Sequence, residues 1–230
     1  TPNCLGCSSW SSLGNIPGII TGSVGFVNEI SIIRPGLPIN SFYGYVVDGV
    51  WQTGDDFGAT VDNIEPGDLK FKDINGDKTV NALDRVILGN SFPDFIWGLG
   101  NDFSYMNFGL NFFIEGAQGV EILNNHLVDS YFPVEFRRNK EAKPYLNRWT
   151  PSNPTNEYPS FVNPNNQGLK PVNSKTIQNG SFARLRTITL SYNIPLKKGF
   201  VRSAAISLTG KNLFTFTPYE GVDPASNGSG

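Results

Sequence analysis

Ile96-Trp97-Gly98-Leu99-Gly100-Asn101-Asp102-Phe103-Ser104-Tyr105 is the stretch on which the reading of this 230-residue chain turns. Trp97, Leu99, Phe103 and Tyr105 fall on one side of a period-two pattern, and Gly98, Gly100, Asp102 and Ser104 fall on the other. Successive side chains of an extended backbone point to opposite faces, so the pattern predicts a strand with one apolar face. After a tight turn at Met106-Asn107, Phe108, Leu110, Phe112 and Ile114 alternate with Gly109, Asn111, Phe113 and Glu115. The chain therefore returns as the second strand of a hairpin.

Further along, Phe182 to Tyr192 reads as a third strand, broken at Pro195, where the ring removes a backbone donor. A fourth is expected over Val201 to Thr209, followed by a corner at Gly210-Lys211-Asn212-Leu213-Phe214. Sustained helical periodicity is confined to Glu121 to Tyr131, with apolar residues at 122, 123, 127, 128 and 131, and predicts one short helix. Residues 139–179 are rich in Pro and Asn and poor in alternation, and read as an extended external loop. The class is all-β and antiparallel. The alternation fits two architectures equally: a segment of a transmembrane barrel, with strands of about ten residues, short turns at one end and long loops at the other, or a soluble β-sandwich with one long loop.

Composition narrows the partners. Charged side chains make up 17% of the chain with a net charge of −2, which leaves no electrostatic footprint for a nucleic-acid backbone. The 17 Phe, 8 Tyr and 4 Trp are spread along the whole length, and 25 Gly with 16 Pro punctuate it as in a turn-rich β protein. No apolar run reaches the roughly 18 residues of a membrane-spanning helix, so the chain is either soluble or crosses a membrane as strands. Its start, Thr1-Pro2-Asn3-Cys4, lacks a signal-peptide layout, and a mature or truncated segment is expected. Cys4 and Cys7 form a lone C-x-x-C with no second pair to complete a zinc site, and read as a surface thiol pair.

The sharpest chemical signal is Asp73-Ile74-Asn75-Gly76-Asp77-Lys78-Thr79-Val80-Asn81-Ala82-Leu83-Asp84. Calcium takes six to eight hard oxygens, and a twelve-residue loop supplies them from side chains at its first, third and fifth positions, a carbonyl at the seventh and a carboxylate at the twelfth. Asp73, Asn75, Asp77, Thr79 and Asp84 occupy those positions, and the run resembles dockerin loops. The sixth position, ordinarily Gly, is Lys78, so the sharp turn is expected to be made differently. A polar turn, in which the acids satisfy nearby amides, is the alternative. Catalytic patterns are missing: there is no Gly-x-Ser-x-Gly elbow, no phosphate-cradling loop, and a single His. The acids Asp55 and Asp56, or Glu65 and Asp68, have no defined separation and read as solvated loop acids. An enzyme is not expected.

Several segments, taken in order, resemble the SusC/RagA family of TonB-dependent receptors. Pro35-Gly36-Leu37-Pro38-Ile39-Asn40-Ser41-Phe42-Tyr43-Gly44-Tyr45 and Val47-Asp48-Gly49-Val50-Trp51-Gln52 come first. Pro66-Gly67-Asp68-Leu69-Lys70-Phe71-Lys72-Asp73 leads into the acidic loop. Asp84-Arg85-Val86-Ile87-Leu88-Gly89, Pro93-Asp94-Phe95 and Trp97-Gly98 follow, and Ser181 to Arg186 and Gly210 to Thr215 close the series. The resemblance implies a barrel of about 22 strands with an amino-terminal plug. This chain would be its carboxy-terminal portion, without the plug and the last strands, and is expected to be part of something larger, because a lone set of open edges is not tolerated in hydrocarbon. It also implies a bacterial outer-membrane location and contact with lipid. The activity implied is TonB-driven import of an oligosaccharide or oligopeptide, with TonB acting through the plug and a SusD-like lipoprotein as lid. Trp149 and Tyr158 are then candidates to stack on a sugar ring, or else to pack the loop on itself. The competing class is a secreted carbohydrate-binding sandwich with a calcium turn.

Overall fold

The computed structural model describes residues 18–24, 27–57, 64–131, 142–161, 170–196, 201 and 203–225. Cys4 and Cys7 lie outside them. The strands are β1 (Ile19–Val24), β2 (Val27–Ile33), β3 (Ser41–Gly44), β4 (Val47–Val50), β5 (Leu69–Phe71), β6 (Val86–Asn90), β7 (Phe95–Tyr105), β8 (Phe108–Gln118), β9 (Glu121–Leu123), β10 (Ile177–Asn179), β11 (Phe182–Ile194) and β12 (Ala204–Phe216). Two short helices, α1 (Asn125–Tyr131) and α2 (Ala142–Leu146), and one 3-10 turn at Ala82–Asp84 complete the described elements. No helix among them is long and apolar enough to cross a membrane.

The chain divides into two compact units, residues 1–91 with 123–178, and 92–122 with 179–230. The first carries an antiparallel sheet in the order β1-β2-β3-β6 and the β4-β5 pair. Its core gathers Val27, Ile30, Phe42, Val50, Leu69 and Phe71 with Leu127, Val128, Trp149, Tyr158, Val172 and Ile177. Half of those residues come from segments with no alternating pattern. Asparagine side chains replace the missing ladder there. Buried Asn173 accepts from the Lys175 and Thr176 amides at 2.9 and 3.1 Å and donates to the Lys170 carbonyl at 2.9 Å. Satisfying backbone groups in this way lets an irregular segment be buried.

The second unit is one antiparallel sheet in the order β12-β11-β8-β7. The hairpin runs in unbroken register from Phe95↔Gln118 to Tyr105↔Phe108, with Met106 at φ 52° making the turn. Two expectations need correction. The fourth strand does not end at a corner but continues to Phe216: Asn212 takes φ 51°, and the register shifts there instead of breaking. A bulge absorbs the extra residues. The predicted helix starts only at Asn125, because Glu121–Leu123 pairs as β9 with β10. Buried Asn124 separates them, its Oδ1 accepting from the His126 and Leu127 amides at 3.1 and 3.2 Å, which is how an N-cap starts a helix. Residues of 139–179 are likewise not simply an extended loop, since α2, β10 and four core side chains come from them.

Candidate functional site

Cross-strand register sorts the side chains of the β12-β11-β8-β7 sheet into two faces. Leu99 opposes Ile114, Phe103 opposes Leu110, and Tyr105 opposes Phe108. On β11, Leu185, Ile188, Leu190 and Tyr192 oppose Ile114, Phe112, Leu110 and Phe108 in turn. Across the next boundary Leu190 meets Leu208, Tyr192 meets Ile206, and Leu185 meets Phe214. The result is an apolar face that is continuous over four strands and uncovered: Phe103 is 55% exposed, Ile206 65% and Leu208 75%. Asn101, opposite Phe112, is the polar residue of β7 on that face. From Trp97 to Tyr105 the face spans about 27 Å along the strand, or about 20 Å along a bilayer normal at the ~45° tilt of barrel strands. At the turn end Phe108 and Tyr192 pack at 4.7 Å between centroids, an aromatic edge of the kind found at a membrane interface.

The opposite face is hydrogen-bonded. Asn111 Nδ2 donates to Asp102 at 2.6 Å, Arg186 reaches Glu115 at 2.6 Å, and the Thr189 and Thr209 hydroxyls share a bond of 3.0 Å. Arg186 is the extra residue of the bulge between Leu185 and Thr187, which turns its guanidinium to that side. Phe113 also lies there, its ring over Gly98 and Gly100 of the neighbouring strand. One face is thus suited to hydrocarbon and the other to water, as the wall of a large barrel requires.

In the first unit the acidic loop is ordered by its own side chains. Asp73 accepts from the Gly76 and Lys78 amides, both at 2.7 Å. Asn75 and Asp77 bond each other through Nδ2 and Oδ2 at 2.9 Å, and Asp77 takes the Thr79 amide at 2.8 Å. Fully buried Asp84 accepts from Ile74 and Asn81, and Asn81 caps the 3-10 turn in return through the Leu83 amide. Lys78 makes the sharp turn itself, at φ 68°, so the sixth position keeps the conformation of a glycine without being one. The Asp73 carboxyl lies below its ordinary 3.8: desolvation pushes it up, but the hydrogen bonds it accepts from the Lys78 and Gly76 amides outweigh that. Among the described residues, no three His, Cys, Asp or Glu side chains converge as around a bound metal. Asn75, Asp77 and Thr79 follow Asp73 on the same short loop, and Asp84 closes it.

The two sugar-stacking candidates lie in the core. Trp149 is 5% exposed and Tyr158 3%, the Trp149 amide donates to the Tyr158 carbonyl at 3.0 Å, and the Trp149 indole donates to Gln52 at 2.8 Å. With both rings covered, the geometry supports packing over stacking on a ligand. The aromatics the first unit does present are ones the sequence did not single out for binding. Trp51 is half-buried beside Phe57 and under the Lys70 ammonium, and Tyr145 is 49% exposed.

No protein-family model matches the chain. It is 34% identical to TonB-dependent receptor P3 of Formosa agariphila over 86% of its length and 20% of that protein. TonB-dependent receptor P26 of the same organism is 33% identical over 92% of the chain and 21% of the relative. TonB-dependent receptor SusC of Bacteroides thetaiotaomicron is 26% identical over 85% of the chain and 18% of that receptor. The chain thus spans about a fifth of the length of the curated relatives it matches. Among solved structures, the RagAB peptide transporter superposes with a TM-score of 0.63 at 24% identity, over 85% of this chain and 21% of that one, and shares its fold. With the two-faced antiparallel sheet, these matches show that the chain belongs to the SusC/RagA family of TonB-dependent receptors, as a segment of the β-barrel.

Proposed function

We propose that the protein of which this chain is a part sits in the bacterial outer membrane and imports a nutrient by TonB-dependent active transport. The observation that carries this reading is the exposed apolar face shared by β7, β8, β11 and β12 with a hydrogen-bonded polar face behind it. A soluble sandwich would cover such a face with a second sheet; here Leu208 remains 75% exposed. TonB supplies the energy through a plug domain, and a SusD-like lipoprotein is the surface partner, in keeping with the SusC and RagAB likenesses. The cargo is an oligosaccharide or an oligopeptide, and residues 139–179 stand on the external side.

Calcium is the proposed stiffener of the acidic loop. Asp73, Asn75, Asp77 and Asp84 would hold it through side-chain oxygens and Thr79 through its carbonyl, a hard-oxygen set that suits the ion. When bound it supplies charge compensation for neighbouring carboxylates and no chemistry. Asp77→Ala should abolish calcium-dependent protection of the loop from proteolysis; protection that survives the substitution disposes of the site.

The transport reading is tested by membrane fractionation of the full-length protein, detergent extraction and identification of any lipoprotein that co-purifies. Recovery in the outer membrane with a tightly bound lipoprotein is expected. Recovery in the soluble fraction would contradict it.

A further inference from the structure

We infer that Arg148 and Tyr145 form a carboxylate-recognition site for cargo, an assignment that rests on the import reading above. The Arg148 guanidinium lies over the Tyr145 ring at 4.5 Å, and its Nη1 donates to the Tyr145 carbonyl at 2.6 Å. Tyr145 is backed in turn by Phe161, nearly parallel at 20° with centroids 5.9 Å apart. The backbone beneath is pinned on every side. Asn153 Nδ2 donates to the Arg148 carbonyl at 3.0 Å, Thr150 and Asn153 bond each other's backbones at 2.9 and 3.3 Å, and the next residue, Trp149, is anchored in the core.

A guanidinium held flat in this way has lost its rotamer freedom before any ligand arrives. It keeps in-plane donors on Nε and Nη2 in the fork that matches a carboxylate. Three other arginines each pair with a carboxylate through one guanidinium nitrogen: Arg85 with Glu29, Arg184 with Asp223 and Arg186 with Glu115. Arg148 takes no carboxylate among the described residues, although it is half-buried and stacked, which leaves its fork open to an incoming acid. The patch comprises Tyr145, Leu146, Arg148 and Phe161, far fewer than the roughly 20–30 residues a side of a stable protein interface. A small ligand fits it better than a macromolecule. Tyr145, 49% exposed, and Leu146, 72% exposed, offer apolar flanks for a sugar ring or a side chain next to the acid. The cargo class is thus a carboxylate-bearing oligomer, either a uronate-containing oligosaccharide or an acidic peptide.

The test is calorimetric titration of the purified full-length receptor in detergent with three probes: a galacturonate trisaccharide, an aspartate-rich tetrapeptide and a neutral trisaccharide. Binding of one of the acidic probes but not the neutral one is expected, and which acidic probe binds identifies the source of the carboxylate. Arg148→Ala should weaken that binding about tenfold or more, and Arg148→Lys should restore only part of it, since a point charge lacks the planar fork. Unchanged urea stability of both variants would separate lost recognition from lost folding. Equal binding of the neutral probe, no binding of either acidic probe, or indifference to Arg148→Ala would overturn the assignment. Release of a co-purifying lipoprotein by Arg148→Ala with carboxylate binding intact would also overturn it, by making the patch a protein contact. Outer-membrane recovery of the receptor is scored separately, so the import reading can survive the failure of this one.

Discussion

Phe113 lies across the space that a side chain on Gly98 would need: its Cζ is 3.0 Å from where that Cβ would stand. Gly98 is therefore a packing requirement on the polar face of the sheet, filled from the neighbouring strand. Gly98→Val should destabilise the full-length receptor by about 1–3 kcal/mol, the usual cost of overpacking. Urea unfolding in detergent measures it, and pairing it with Phe113→Ala should recover much of the loss. Additive losses in the double variant would show that the two residues do not share the space.

Lys78 stands at φ 68°, a conformation that costs an L-residue roughly 1–2 kcal/mol. Lys78→Gly should relieve that strain, lengthening the proteolytic half-life of the acidic loop, whereas Lys78→Val should shorten it. A glycine variant cleaved faster than the parent would mean that the lysine side chain stabilises the loop more than its backbone strains it.

The acidic loop should also respond to acid in one direction. The Asp73 carboxyl is lowered in the folded chain, so its contribution to loop order is complete above the ordinary 3.8 and is lost as pH falls through the lower folded value. Hydrogen exchange at the Gly76 and Lys78 amides, which donate to it, should accelerate across that window beyond the intrinsic change. In Asp73→Asn the step should vanish. A step that persists in the asparagine variant would assign it to another group.

Trp149 and Tyr145 are four residues apart and behave oppositely. Removing the 5%-exposed indole by Trp149→Ala should cost about 3–5 kcal/mol. Tyr145→Ala, at a 49%-exposed position, should cost about 1 kcal/mol or less. Thermal unfolding of the full-length receptor compares them, and similar losses would remove the distinction between core and surface.

What was legible in the sequence follows from the range of the interactions involved. The hairpin could be read because alternation and a two-residue turn are local, and its register runs as the pattern suggests from Phe95 to Tyr105. The acidic loop could be read because its partners lie within twelve residues of one another. The end of β12 is not legible at Gly210 to Phe214, because a bulge lets a strand pass through residues that look like a turn. Residues 139–179 show no period, yet Trp149, Tyr158, Val172 and Ile177 reach the core through long-range hydrogen bonds such as Trp149 to Gln52. The stack of Arg148 on Tyr145 and Phe161 is likewise set by tertiary packing, with only the Tyr145–Arg148 spacing as a faint signal.

The most direct test of the central claim is a spin-label scan of single cysteines from Trp97 to Tyr105 in the full-length receptor reconstituted in lipid, read as collision with oxygen against a water-soluble nickel chelate. The account predicts a period of two, with 97, 99, 103 and 105 facing hydrocarbon and 98, 100, 102 and 104 facing water. Uniform access to the nickel chelate, or a loss of alternation along β7, would contradict a membrane-spanning sheet.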